Sequence, residues 1–182
     1  EGATIIQNVH SLLGLHYKKS EVIIVNDGST DDSLKLMKKA FDLEKVDFKI
    51  NPRLVTKPMR NVYKSTNPKY AKLIVIDKEN GGKSDALNLG INVASNKLIA
   101  CVDVDCILEK DSLVRMVKPS LEETDVRVIA VGGVLRIANS CEVKNGEIVK
   151  VNLPKSFVPR IQTIEYLRAF LLGRMAWSRL NG

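Results

Sequence analysis

Apolar runs at 21–25 (EVIIV), 72–76 (KLIVI), 97–102 (KLIACV) and 126–137 (VRVIAVGGVLRI) are each bounded by polar turns, the last interrupted by Gly132 and Gly133. Runs of this length between turn residues read as buried strands. The stretches between them have helical spacing: Ile5, Val9, Leu12 and Leu13; Leu34, Met37 and Phe41; Ala86, Leu87, Ile91 and Ala94; Leu113, Met116, Val117 and Leu121. Strand followed by helix, repeated along the chain, predicts an α/β domain with a mainly parallel sheet and helices on both faces. Residues 51–68, with three prolines, several basic side chains and no clean period, read as a long irregular insertion. From Arg160 onward, Ile161, Ile164, Leu167, Leu171, Leu172 and Met175 alternate with arginines, which predicts an amphipathic helix that docks either on this domain or on a membrane interface.

With 182 residues, 45% hydrophobic and 27% charged, the chain suits one globular domain with a substantial core. It lacks an initiator methionine and stops at the end of a helical pattern, as a fragment would. Cys101, Cys106 and Cys141 form no CxxC pair and are odd in number, which fits a reducing, cytosolic setting. His10 and His16 do not complete a zinc spacing with them. No apolar run approaches the roughly eighteen residues of a membrane span, so the fragment is expected to be soluble.

In an open α/β sheet, ligands bind beyond the carboxyl ends of the strands. Three acidic or glycine-rich segments fall there: NDGSTDD after 21–25, DKENGGKSD after 72–76, and DVDCILEKD after 97–102. Asp27 stands at the first strand end, where a carboxylate can accept hydrogen bonds from an imide N–H or from ribose hydroxyls. Gly28 permits the bend, and Ser29, Thr30 or Asp31 can cap the next helix. In NGGKSDALN, Gly81 and Gly82 permit close backbone approach, Ser84 can cap the helix, and Lys83 places a cation at its positive end. This is not a P-loop, because the first glycine of that motif would fall on Asp77. Asp85 either complements the helix dipole or lines the site. Asp103 and Asp105, two apart at the end of a strand, would point to the same side and share a hard divalent cation, Mg²⁺ or Mn²⁺.

In this order, VNDGSTDD, DKENGGKSDALNLGI and IACVDVDCILEKDSL resemble the inverting family 2 glycosyltransferases of the GT-A fold. AVGGVLRIANSCEVKNGEIV and IQTIEYLRAFLLGRMAWSRLN resemble the continuation in membrane-attached polysaccharide synthases of the cellulose, hyaluronan and poly-N-acetylglucosamine type. The resemblance spans essentially all of residues 1–182 and implies a partial GT-A domain, the nucleotide-sugar half of an enzyme that transfers sugar from a UDP-sugar or related donor to a glycan or other acceptor hydroxyl. It implies Asp27, Gly28, Lys83, Asp85 and Asp103 as nucleotide-sugar contacts, with Asp27 on the uracil or ribose, and Asp103 and Asp105 as metal ligands. It further implies attachment to a membrane through segments outside this chain, with the catalytic domain on the cytoplasmic side. Only Glu1 matches the end of the family's opening strand and Asn-Glu motif. Neither the acidic motif that supplies the general base nor the later arginine- and tryptophan-containing motif has a counterpart here. On this reading a core strand and the base lie outside the fragment, which is inactive alone.

The net charge is +7, with basic stretches at Lys45–Lys69 and at 155–182, which raises the alternative of a non-catalytic module for anionic lipid or nucleic acid. No nucleic-acid-binding motif is present, and the scattered aromatic residues offer no stacking platform, so no nucleic acid partner is expected. A dinucleotide-dependent oxidoreductase needs G-x-G-x-x-G after the first strand, which NDGSTDDS lacks. A sugar nucleotidyltransferase, which also joins a diphosphate and a metal on such a sheet, is the nearer alternative.

Overall fold

The computed structural model describes residues 2–50, 52–122, 128–134, 137–138, 140–144 and 147–175, in two compact units divided after Leu108. The first unit contains α1 (Gly2–Leu13), β1 (Val22–Asp27), α2 (Ser33–Ala40), β2 (Leu43–Val46), β3 (Met59–Ser65), β4 (Leu73–Lys78) and α3 (Lys83–Val93). Its sheet has the order β1-β4-β3-β2.

All six residues of β4 are buried, because it is flanked by strands and covered on both faces. Successive side chains of a strand point to opposite faces, so its apolar residues divide between two cores. Leu73 and Val75 join Tyr63 of β3, Ile5 and Val9 of α1, Met37 of α2, Phe41 and Leu43. Ile74 and Ile76 face the other way, onto Val62 and onto Leu89 and Val93 of α3. β1 repeats the division: Val22 and Ile24 pack against the first core, Ile23 and Val25 against the second. At the start of β1, Glu21 accepts hydrogen bonds from the backbone amides of Ser95 (2.8 Å) and Asn96 (3.2 Å), which fastens the segment after α3 to the sheet.

The α/β class and the helices on both faces follow the sequence reading, but the sheet is mixed rather than mainly parallel. β1 and β4 are parallel, whereas β4–β3 and β3–β2 are antiparallel. The difference comes from β2, in sequence for which no element is expected, and β3, in sequence read as irregular insertion. Met59–Ser65 devotes only Val62 and Tyr63 to full burial, so its period-2 signal is drowned by polar residues. The 97–102 run, expected as a strand, is irregular, with Leu98 and Ile99 52% and 48% exposed. An apolar run becomes a strand only where another strand pairs with its backbone, and none of the described strands does so here. Residues 128–134 are likewise irregular, with Ile129 almost fully exposed; Val126, Arg127, Leu135 and Arg136 of that expected strand lie outside the described residues.

The second unit contains α4 (Ser112–Leu121), an antiparallel pair β5 (Glu142–Lys144) and β6 (Glu147–Lys150), and α5 (Phe157–Arg168), which continues as a π-helical segment to Met175. The helix expected from Arg160 therefore forms as far as Met175, and its residues 176–180 lie outside the described residues. Phe157, Ile161, Ile164 and Leu167 are exposed, and Arg168 pairs with Glu165 one turn away at 2.7 Å. Arginines interleaved with the apolar residues deny α5 a clean apolar stripe. No helix among the described residues is long and apolar enough to cross a membrane.

The contrast between β4 and the 97–102 run is testable. Leu73→Ala, which opens a cavity in the first core, lowers stability by about 2–5 kcal/mol, whereas Leu98→Ala changes it by no more than about 0.5 kcal/mol. Urea denaturation monitored by circular dichroism measures both; an equal, large loss at Leu98 would mean that 97–102 is a core strand.

Candidate functional site

Asp27 and Lys78 are register partners at the carboxyl ends of the parallel strands β1 and β4. Asp27 Oδ1 accepts hydrogen bonds from Lys78 Nζ (2.6 Å) and from the Gly81 amide (2.9 Å), and Oδ2 accepts from the Gly82 amide (2.7 Å). Its carbonyl accepts from Asn80 Nδ2 at 2.9 Å. A carboxylate has about four acceptor positions, so the three bonds fix its orientation and leave a position on Oδ2 open. Two glycines make this closeness possible. Gly28 has φ +69°, and a Cβ there would lie 2.9 Å from the Asn80 amide nitrogen; Gly82, φ +86°, turns the chain into α3.

Capping differs from expectation. Gly82 is the N-cap of α3 and Ser84 lies inside the helix, so it is the Asp27 carboxylate that satisfies the amides before the first turn. Before α2 the N-cap is Asp32, not Ser29, Thr30 or Asp31, and it makes no side-chain cap bond; the preceding Asp31 accepts from the Ser33 amide at 3.1 Å.

Lys78 was not singled out in the sequence, where it looks like a solvated residue after an apolar run. It is fully buried, with Nζ 2.6 Å from both Asp27 Oδ1 and Asp85 Oδ1. The available signal was its place in a strand buried on both faces, opposite an aspartate. Asp85, in the first turn of α3, also accepts from the Lys57 amide at 3.0 Å. Two turns along the same helix, Asn92 Oδ1 accepts from the Arg53 and Leu54 amides, both at 2.9 Å, and its Nδ2 donates to the Leu54 carbonyl at 2.8 Å. Residues 53–57, read as irregular, are thus strapped along α3. Lys57 Nζ closes the strap onto the Asn80 carbonyl at 2.8 Å.

Burial alone would raise the Asp27 carboxyl, but the hydrogen bonds from Lys78, Gly81 and Gly82 outweigh it and hold the group below the ordinary aspartate range. Asp85 is held low by its hydrogen bond from Lys78, against burial, with help from the Lys57 amide. Burial pulls Lys78 down, yet its bonds to the two carboxylates prevail and keep it above the ordinary lysine range.

The second acidic tip is a turn, not a strand end: the Cys106 amide donates to the Asp103 carbonyl at 3.0 Å across Val104 and Asp105. Strand alternation therefore does not bring Asp103 and Asp105 together; turn geometry does. Carboxylate oxygens of both and the Cys106 Sγ lie within 4.8 Å of one another, and both aspartates are exposed. The two carboxylates fit a hard divalent cation. Burial first, and then Asp105 and Asp103, raise the Cys106 thiol, so it is less suited to act as a thiolate ligand. Lys83, the first residue of α3, pairs with Asp103, and that hydrogen bond raises its own pKa. The structure thus brings Asp27, Gly28, Lys83, Asp85 and Asp103 into one connected group, running from Asp27 through Gly82 to Lys83 and on to the 103–106 turn.

The electrostatics predict a pH response that depends on Lys78. Folded-state pKa values of Asp27 and Asp85 lie below their unfolded values, so their contribution to stability is present above the unfolded pKa, about 4, and is lost as pH falls through the lowered ones. In Lys78→Met the two carboxylates lose their shared cation, which destabilises the fold near neutral pH. That variant should regain stability as pH falls from neutral toward 5, a range over which these groups leave the parent's stability unchanged; urea denaturation across it measures both slopes, and parallel slopes would contradict the arrangement.

A match to the model of "Glycosyl transferase family 2" extends over residues 1–169. The poly-beta-1,6-N-acetyl-D-glucosamine synthase of Staphylococcus aureus is 32% identical over 174 residues, covering 95% of this chain and 31% of that protein. The enzyme of the same description from Staphylococcus epidermidis is 28% identical over 169 residues, covering 91% and 30%. The chain therefore spans a little under a third of the curated relatives it matches. No solved structure matches it significantly. With the matched segment containing both acidic tips and the glycine-lysine turn between them, the chain belongs to glycosyltransferase family 2.

Proposed function

We propose that this chain is the donor-binding part of a polysaccharide synthase that transfers a sugar, N-acetylglucosamine first among candidates, from its UDP derivative to an acceptor hydroxyl with inversion. The observation that carries this reading is the fixed Asp27 carboxylate, with one acceptor position open, joined through the start of α3 to the Asp103–Asp105 turn. The sugar follows from the named product of the relatives. The parent enzyme is membrane-attached, with this domain on the cytoplasmic side.

Each group has a distinct task. Asp27 Oδ2 accepts a hydrogen bond from the base imide or the ribose, and its three internal bonds mean that little orientation is lost on binding. Lys83, released from Asp103, supplies a cation to the donor diphosphate. Asp103 and Asp105 hold a divalent cation, which when bound would neutralise charge on the departing diphosphate. In the transfer the acceptor oxygen bonds to the anomeric carbon as the bond from that carbon to the diphosphate oxygen breaks. The hydroxyl proton goes to a general base.

Calorimetric titration of the chain with UDP and with UDP-N-acetylglucosamine, with and without Mn²⁺, tests this reading. Binding should tighten with Mn²⁺, and Asp27→Ala should weaken it by about 10–100-fold, the worth of a hydrogen bond to a charged group. Asp105→Ala should abolish the Mn²⁺ effect. Folded protein that binds neither nucleotide, or binds ADP equally well, would refute the donor assignment.

A further inference from the structure

The turn that carries Asp103 and Asp105 lies outside every regular element, yet two contacts hold it, one to the first core and one to α1. Val104, between the aspartates, packs its side chain against the first core, and its carbonyl accepts a hydrogen bond from Asn8 Nδ2. Asn8 is only 7% exposed and lies on the same face of α1 as Ile5 and Val9, both core residues. A polar amide on a buried helix face is costly without a partner. Here the partner is a backbone group 96 residues away in sequence.

The bond falls on the peptide that decides the shape of the turn. With Asp103 and Cys106 as the first and fourth residues, the turn's own hydrogen bond uses the Asp103 carbonyl and the Cys106 amide. The central peptide, which carries the Val104 carbonyl, takes no part in it. Type I and type II turns differ by a rotation of that peptide through about half a circle, which also resets φ of the third residue. The third residue is Asp105. An acceptor held from α1 therefore selects one rotation, and with it the direction in which the Asp105 carboxylate leaves the backbone.

We infer that Asn8 is a positioning residue for the aspartate pair: by gripping the Val104 carbonyl it fixes the turn that sets Asp105 beside Asp103 for a divalent cation. This rests on the proposed metal role of those aspartates. Asn8 touches neither donor nor cation, so its removal acts on the cation-dependent part of donor binding and leaves the Asp27 contact intact.

The test compares the chain with Asn8→Ala and with Asn8→Leu, which keeps most of the side-chain volume if the alanine variant does not fold. UDP affinity is measured with and without Mn²⁺, and amide hydrogen exchange at Cys106 is followed without metal. Loss of a group that orients a metal ligand reduces metal affinity by about 10–100-fold, so the Mn²⁺ concentration needed for half the gain in UDP affinity should rise by that factor. Metal-free UDP affinity should stay unchanged, and the Cys106 amide should exchange about tenfold faster. A general loss of structure would instead lower UDP affinity both with and without Mn²⁺, which overturns the inference. Unchanged Mn²⁺ response and unchanged exchange in a folded variant overturn it as well. If the parent chain shows no Mn²⁺ response, it is the metal reading that has failed, and exchange at Cys106 alone decides whether Asn8 fixes the turn.

Discussion

A single buried ammonium group organises the carboxyl end of the sheet. Lys78 ends the most buried strand of the fold, and its charge can be there only because Asp27 and Asp85 lie beside it. Removing three charges from water is expensive, and mutual attraction repays the cost only when the remaining hydrogen-bonding positions are also filled. The amides of Gly81, Gly82 and Lys57 fill three of them and leave one position on Asp27 Oδ2. The demand of one buried charge thus determines the path of the chain out of β4, the entry to α3 and the course of residues 53–57.

The parts legible in the sequence were those with strong apolar signal. EVIIV and KLIVI read as buried strands because both of their faces are covered, and α1, α2, α3 and α4 appear close to where the helical spacing put them. β2 and β3 were invisible for the opposite reason: LEKV and MRNVYKS carry too few apolar residues to show a period. KLIACV misled because composition reports what a segment would bury, not whether a neighbour exists to pair with it.

For the site, the acidic and glycine residues could be read because each is the chemically unusual member of a strand-end turn. The residues that hold them could not. Lys78 and Asn92 do their work through partners far away in sequence, and neither sits in a motif. The convergence of Asp103 and Asp105 was anticipated from strand alternation, yet a turn produces it, with Val104 as its anchor in the core. Residue identities announced the chemistry, while the means of support became visible only with long-range contacts.

The strap along α3 is held on both sides of Val55, by Asn92 at residues 53–54 and by Asp85 at residue 57, while Val55 itself is 94% exposed. Extra residues spliced in at this crest would bulge into solvent without shifting either fastening, because neither depends on the spacing across it. Position 55 is therefore a natural place to graft a reporter, such as a cysteine for fluorophore coupling, close to the Lys78, Asp27 and Asp85 cluster yet outside its hydrogen-bonded frame.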